Sequence, residues 1–398
     1  MHPQSSVFPQ RERRIAGHTV LQIIPDLESG GVERSAVDVA QALTEAGARC
    51  LVASRGGRLV GELQSKGGVW IPFPAATKNP FAMTLNSIRL ARILRDEGVE
   101  IVHARSRAPA WVAYYAARQA RTRFVTTYHS AYSGTSPIKQ RYNAIMAAGD
   151  IVIANSRFTA QRILELHPEA SNRIATIGRG VDMRVFSPLA VHPSRVERLR
   201  ADWGIAPHLR IVLLPARVTA RKGHFVLLDA ARRLVTRGFT DLRYVFAGDA
   251  RSDSYLRSIE RQIERLSLEG YVRIVGHCAD MPAAYLAAAV TVAPATEPEA
   301  FGRVAIEGQA MGAPVVISDF GAASEIVAGP PEVAAAQATG WRTPPNDAEA
   351  LAEAIVEALA LTASAREALG SRARAFIANR YSLESMCDAT LGVYESLL

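Results

Sequence analysis

The chain has 398 residues, 48% of them hydrophobic and 21% charged, with a formal net charge of +8. That length suits two domains of roughly 100–200 residues each, and that composition excludes a largely disordered chain. The charge is uneven: residues 1–200 carry net +12 and the remainder net −4, so the first half is either suited to an anionic partner or simply a basic solvated face.

In chain order, residues 1–17 read as a loose tail. Arg11, Arg13 and Arg14 precede an apolar run at 20–24, as in a signal peptide. The run is too short for one and is followed at once by Pro25 and Asp26, so it reads as the first strand. Further short, β-branched apolar runs fall at 50–53, 69–73, 101–104, 124–127 and 151–154. A second series falls at 211–215, 244–247, 272–275, 290–293 and 315–317. Helical patterns separate them, at 33–46, 225–237, 254–268 and 303–311 among others. This alternation predicts βαβ units and parallel sheets covered by helices on both faces.

The segment 186–207 has Pro188, Pro193 and Pro207 and no strand-like run, and reads as the linker and the start of the second domain. The expected domains are therefore 18–187 and 188–380, with a final helix at 381–398. The fold class is α/β, two Rossmann-like doubly wound domains facing across a cleft. Ligands collect there because strand carboxyl ends and helix N-termini point into it. No stretch approaches the roughly 20 apolar residues of a membrane span. Cys50, Cys278 and Cys387 are far apart and odd in number, which suggests neither a disulfide framework nor a zinc site and suits a reducing cytoplasm.

The strongest motif runs Glu299-Ala300-Phe301-Gly302-Arg303-Val304-Ala305-Ile306-Glu307, between an expected strand and a helix stopped by Gly312-Ala313-Pro314. Free backbone N–H groups at such a helix start bind phosphate, and Gly302 lets the phosphate approach the backbone. Glu307, in the second turn, offers only acceptors and suits two neighbouring ribose hydroxyls. Glu299, in the loop, can reach the transferred sugar. A surface glutamate pair is the bland alternative, and the flanking Pro298 and Phe301-Gly302-Arg303 argue against it.

Arg217 and Lys222-Gly223 follow the first strand of the second series. A leaving nucleoside diphosphate gains negative charge, which fixed cations stabilise. A solvated loop cation is the alternative. No Asp-x-Asp motif occurs in the chain, and carboxylates of that kind usually hold Mg²⁺ or Mn²⁺ on a diphosphate. Arg217 and Lys222 are therefore expected to replace the metal, with no other cofactor. Gly30-Gly31-Val32-Glu33 opens a helix where backbone could approach a phosphate or sugar, although a tight turn also wants glycine. His129 closes the Thr126–Thr127–Tyr128 strand and would point into the cleft; a histidine there is more often structural. Arg105 or Arg107 could hold an anionic acceptor.

Together these residues resemble family 4 of the retaining glycosyltransferases, of GT-B fold, from about Val20 onward. The most specific stretch is 298–316, followed by Gly321-Ala322-Ala323-Ser324-Glu325-Ile326 and Thr339-Gly340-Trp341. The resemblance implies that Glu299 contacts the donor sugar, Glu307 holds the ribose, and Arg217 and Lys222 hold the pyrophosphate. It implies that Gly30 and Gly31 are the family's N-terminal double glycine, that His129 is its histidine near the reacting sugar, and that the last helix returns to the first domain. Hexosyl transfer from a UDP- or GDP-sugar is thus expected, in cell-envelope polysaccharide or lipopolysaccharide synthesis. The acceptor would be a glycan or lipid-linked, and the enzyme cytoplasmic, docked on the anionic inner face of the membrane through its basic half. The alternatives are a nucleotide-sugar epimerase of the same fold and a non-catalytic nucleotide-sugar binder. The charge alone could suit nucleic acid, but no nucleic-acid motif accompanies it, so none is expected as a partner.

Overall fold

Residues 13–28, 30–129, 136–250 and 252–398 are described by the computed structural model of the protein. Residues 1–12 of the expected tail, and Ser130 beside His129, lie outside them. Two compact units form: the chain up to Gly180 together with Leu383–Leu398, and Val181–Ser382.

The first unit is built on seven parallel strands: β1 (Thr19–Ile23), β2 (Arg49–Ser54), β3 (Val69–Pro72), β4 (Ile101–Ala104), β5 (Arg123–Tyr128), β6 (Ile151–Ala154) and β7 (Ile174–Thr176). The second has six: β8 (Arg210–Leu214), β9 (Leu242–Ala247), β10 (Val272–Gly276), β11 (Ala288–Ala293), β12 (Val315–Ser318) and β13 (Trp341–Thr343). The spatial orders are β3-β2-β1-β4-β5-β6-β7 and β10-β9-β8-β11-β12-β13. Both reverse direction beside their first strand, at β1/β4 and at β8/β11. Open parallel sheets bind ligands at such switch points, outside the strand carboxyl ends.

Side chains of a strand alternate between faces, and the cores follow that period. Leu21 and Ile23 of β1 join one buried cluster with Leu51 and Val102. Val20 joins another with Cys50, Val52 and Leu43. Ile211 and Leu213 likewise separate from Val212 and Leu214 in the second unit. Both sheets are buried on both faces, which explains their continuous apolar runs.

Three boundaries differ from those expected. Ile15 is fully buried in the core and Arg13 pairs with Asp388, so ordered chain begins ahead of residue 18. The segment 186–207, expected as linker and start of the second domain, lies wholly in the second unit. Pro193–Asp202 is a helix, opened by His192, whose side chain accepts from the Ser194 N–H. Its Leu199 and the following Trp203 pack with Tyr285. A proline at the first helical position favours a helix start, and these prolines concealed it. The chain changes units at Gly180–Val181 instead. The final helix is Leu383–Glu395. It lays Leu383, Met386, Cys387, Leu391 and Tyr394 into the first unit's core.

Candidate active site

The second unit's motifs converge at its switch point. The loop after β8 carries Arg217 and ends in the turn Ala220–Lys222, and the loop after β11 carries Glu299. The Lys222 ammonium donates to Glu299 Oε1, and Arg221 Nη2 lies 3.8 Å from the same oxygen. Both partners of the Lys222–Glu299 pair are largely covered, with side chains 21% and 15% exposed.

Backbone contacts join the loops. The Thr296 N–H donates to the Arg221 carbonyl at 3.0 Å, and its hydroxyl to the Ala220 carbonyl at 3.2 Å. Gly223, in the left-handed region at φ 74°, lies so close to β11's exit that a Cβ there would sit 1.6 Å from the Pro294 carbonyl oxygen. Only glycine allows both that φ and that approach. On its other side Glu299 pairs with Gly321 in a parallel bridge.

Helix Arg303–Ala310 starts at Gly302, whose φ of −104° any residue adopts. Packing there is close: a Cβ would lie 2.5 Å from Ile326 Cδ1, which would have to shift. The Phe301 ring stands edge-on to Tyr381, with centroids 5.5 Å apart. Its side chain therefore anchors the loop by packing. Glu307 is held from both ends. Tyr285 Oη donates to its Oε2 at 2.9 Å, and Arg303 Nε donates to its Oε1 at 2.9 Å. Burial first, and the Glu307 charge second, hold the Tyr285 hydroxyl well above its ordinary range, so it stays a donor.

Arg217 is exposed just past β8. Lys222 pairs with Glu299, and Arg303 with Glu307.

In the first unit, His129 follows β5. Arg179 Nη2 lies 3.2 Å from His129 Nδ1. A guanidinium only donates, so Nδ1 accepts and the ring proton sits on Nε2. Burial, and then the charges of Arg179 and Arg105, hold this histidine well below its ordinary value. His129 is therefore neutral at pH 7. His103, one strand over, is fully buried between Tyr394 Oη and Thr127 Oγ1, both at 2.6 Å. It ties the final helix to the sheet. Arg105 is buried, and its Nε donates to Gln22 Oε1 at 2.7 Å. Arg107 donates to Asn143 Oδ1 at 2.8 Å.

Gly30 and Gly31 open helix Gly31–Glu45 after β1. Gly30 is extended (φ 171°), so strain does not call for glycine; a Cβ there would meet the Glu33 carboxylate at 2.3 Å. The helix start thus faces its own first-turn acid, which complements the N-terminal dipole.

Sequence reasoning missed Tyr285, Arg221 and Arg179. Tyr285 sits in an apolar stretch that reads as plain core. Arg221 was overshadowed by its neighbour Lys222.

Two Rossmann-like units, one with a covered Lys–Glu pair and a phosphate-suited helix start at its switch point, define the GT-B class. Residues 29–185 match Glycosyltransferase Family 4 and residues 195–376 match Glycosyl transferases group 1. A solved glycosyltransferase from Rickettsia africae is 34% identical, with a TM-score of 0.85 over 96% of this chain and 98% of that one. The chain therefore belongs to glycosyltransferase family 4.

The solved Anabaena Alr3699/HepE, in complex with UDP-glucose, shares the fold at a TM-score of 0.81 and 23% identity, over 96% of this chain and all of that one. D-inositol 3-phosphate glycosyltransferase 1 of Catenulispora acidiphila is 29% identical over 252 residues, 58% of this chain and 59% of the relative. The matched stretch covers 42% of the corresponding Thermobifida fusca protein, at 32% identity over 186 residues. The chain spans about half the length of the curated relatives it matches. No helix among the described residues is long and apolar enough to cross a membrane.

Proposed function

We propose that this chain transfers a hexosyl group from a nucleotide-sugar to an acceptor with retention of anomeric configuration and without a metal ion. The observation that carries this reading is the Lys222–Glu299 pair beside the start of helix Arg303–Ala310. A donor diphosphate would take the Lys222 ammonium, Arg217 and the helix N–H groups, which together oppose its growing charge. Glu299, released from Lys222, would turn to the sugar. Glu307 would hold the ribose in the orientation that Tyr285 and Arg303 impose. The transition state is oxocarbenium-like, as in glycosidic cleavage generally. The leaving diphosphate can accept the acceptor's proton on the same face, so neither glutamate need form a covalent bond. In the first unit we assign the neutral His129, with its Nε2–H, and the Gly30-Gly31 turn to the reacting sugar.

The UDP-glucose complex of Alr3699/HepE supports a uridine donor; a GDP-sugar is the other candidate. For the acceptor, we propose a cell-envelope glycan or lipid-linked sugar, met at an anionic membrane surface on the cytoplasmic side by the basic half. The relatives named for D-inositol 3-phosphate favour a second acceptor class, a small polyol phosphate. A thermal-shift panel of nucleotide-sugars, followed by anomer-resolved NMR of the product, tests the reading. A donor at 100 times its Kd should stabilise by about 2.7 kcal/mol. Either an inverted product or the absence of a shift with every nucleotide-sugar would overturn it.

A further inference from the structure

At the carboxyl ends of β4, β5 and β6 the first unit has a small cavity. Arg105, His129, Asn155 and Arg179 line it, with Ser35 and Thr390 among the others. It leaves about 20 Å³ for the centre of a water-sized guest, enough for one such guest.

Among the described residues, Arg105 Nη2, Asn155 Nδ2 and His129 Nε2 of this lining are buried and meet no hydrogen-bond partner. Arg105 is 4% exposed and Asn155 1%. All three are donors. The Arg179 contact leaves the His129 proton on Nε2. The Asn155 amide is oriented by Thr159, whose hydroxyl accepts from Ser156 Oγ at 3.0 Å and donates to Asn155 Oδ1 at 2.8 Å. That turns the amide's NH₂ away from Thr159.

The charges agree with this count. Among the described residues the lining includes the Arg105 guanidinium and no carboxylate. The Arg105 Nε is met by a neutral amide, that of Gln22. His103 and His129 are both held well below their ordinary value, first by burial, and so stay uncharged. A buried cation without a counter-charge is costly, and so is each unmet donor. A water would bring two lone pairs, but also two protons that need acceptors. The unmet groups here call for a guest that only accepts and carries negative charge. The space suits a single atom and not a tetrahedral oxyanion.

We propose that the first unit binds one monovalent, halide-class anion here, between Arg105, Asn155 and His129. His129 is shared with the site assigned above, so the test reads binding and not turnover, and the inference stands whether or not the transfer reading does.

Crystals of the full chain grown in bromide should show an anomalous peak within hydrogen-bond reach of Arg105 Nη2 and Asn155 Nδ2. Tm should be higher in sodium chloride than in sodium gluconate of equal ionic strength. Above the binding midpoint it should rise by about 3–5 °C per tenfold increase in chloride. Arg105→Gln removes the charge, and Asn155→Asp supplies a tethered carboxylate; each should abolish the chloride-specific rise. If Arg105→Gln does not fold, Asn155→Asp and the bromide peak still decide. Equal Tm in the two salts, with or without a bromide peak, would overturn the proposal, a peak without a shift being an adventitious ion only. A chloride rise that persists in both variants would overturn it as well.

Discussion

Gly223→Ala puts a number on how closely the loops after β8 and β11 must approach. The substitution adds one methyl group to a residue that contributes no side chain of its own. Two costs follow. The left-handed backbone at φ 74° costs an L-residue about 1–2 kcal/mol. The new Cβ would also stand 1.6 Å from the Pro294 carbonyl oxygen, a backbone atom that no rotamer can move. Reaching an ordinary 3.4 Å contact means opening the loops by about 1.8 Å. Lys222 lies next to one side of that gap, and Glu299 follows the other. A misplacement of about 1 Å can cost on the order of 10² in rate, so turnover should fall at least that far. Gly238→Ala is the control, because Gly238 also has a positive φ, 93°, but a Cβ there would meet nothing within 4 Å. It should cost only the backbone strain, lowering Tm by about 2–8 °C at unchanged turnover. Steady-state transfer kinetics and thermal melts of both variants decide. Gly223→Ala within about threefold of wild-type turnover, or an equal rate loss in Gly238→Ala, would refute the argument.

Lys222→Ala should lower transfer by on the order of 10²–10³, the range for one lost preorganised donor, while EDTA leaves the wild type active; near-normal turnover of the variant, or strict metal dependence, counts against the assigned role. Glu307→Ala should raise the donor KM with little change in kcat, as expected for a contact made equally in ground and transition states. Tyr285→Phe should do the same more weakly, because Arg303 still orients the carboxylate; a Tyr285→Phe effect confined to kcat would contradict this. His224 is fully buried against Phe246, and burial, helped by the Lys222 charge, holds it down to about 4. The unfolded chain protonates it near 6.5, so its contribution is whole above that pH and is lost as pH falls towards 4. From pH 7 to pH 4 the loss should be about 3 kcal/mol. Urea melts of His224→Leu should show a correspondingly flatter acid limb, and an unchanged slope would remove the assignment.

Eleven strands were legible because each is an apolar run of at least three residues flanked by turn residues. β7 and β13 were not. Each has three residues, Ile-Ala-Thr and Trp-Arg-Thr, and each is an edge strand bonded on one side only. So little burial leaves too faint a pattern to read. The loop and helix start that carry Glu299, Gly302 and Glu307 were legible because they are local features. What holds them is not local. Tyr285 reaches Glu307 across 22 positions and Lys222 reaches Glu299 across 77. At 186–207 the start of the second domain was legible but its helix was not, because the proline that begins Pro193–Asp202 reads as a break. Gly30 is extended, so its backbone conformation does not by itself call for the glycine.

The return of Leu383–Glu395 to the first unit sets an order of events during synthesis. The first unit's sheet is finished by Thr176, yet its core lacks Met386, Cys387, Leu391 and Tyr394 until that helix has been made. All of Val181–Ser382 lies between. At about 5–20 residues per second this gap lasts roughly 10–40 s. During that time His103 has no Tyr394 hydroxyl to meet, and the apolar face awaiting the helix stays uncovered. The second unit, continuous in the chain, can close first. The nascent protein is thus most exposed to aggregation and to chaperones at its N-terminal unit, and a ribosome stalled near residue 380 should display a protease-sensitive first unit beside a resistant second one.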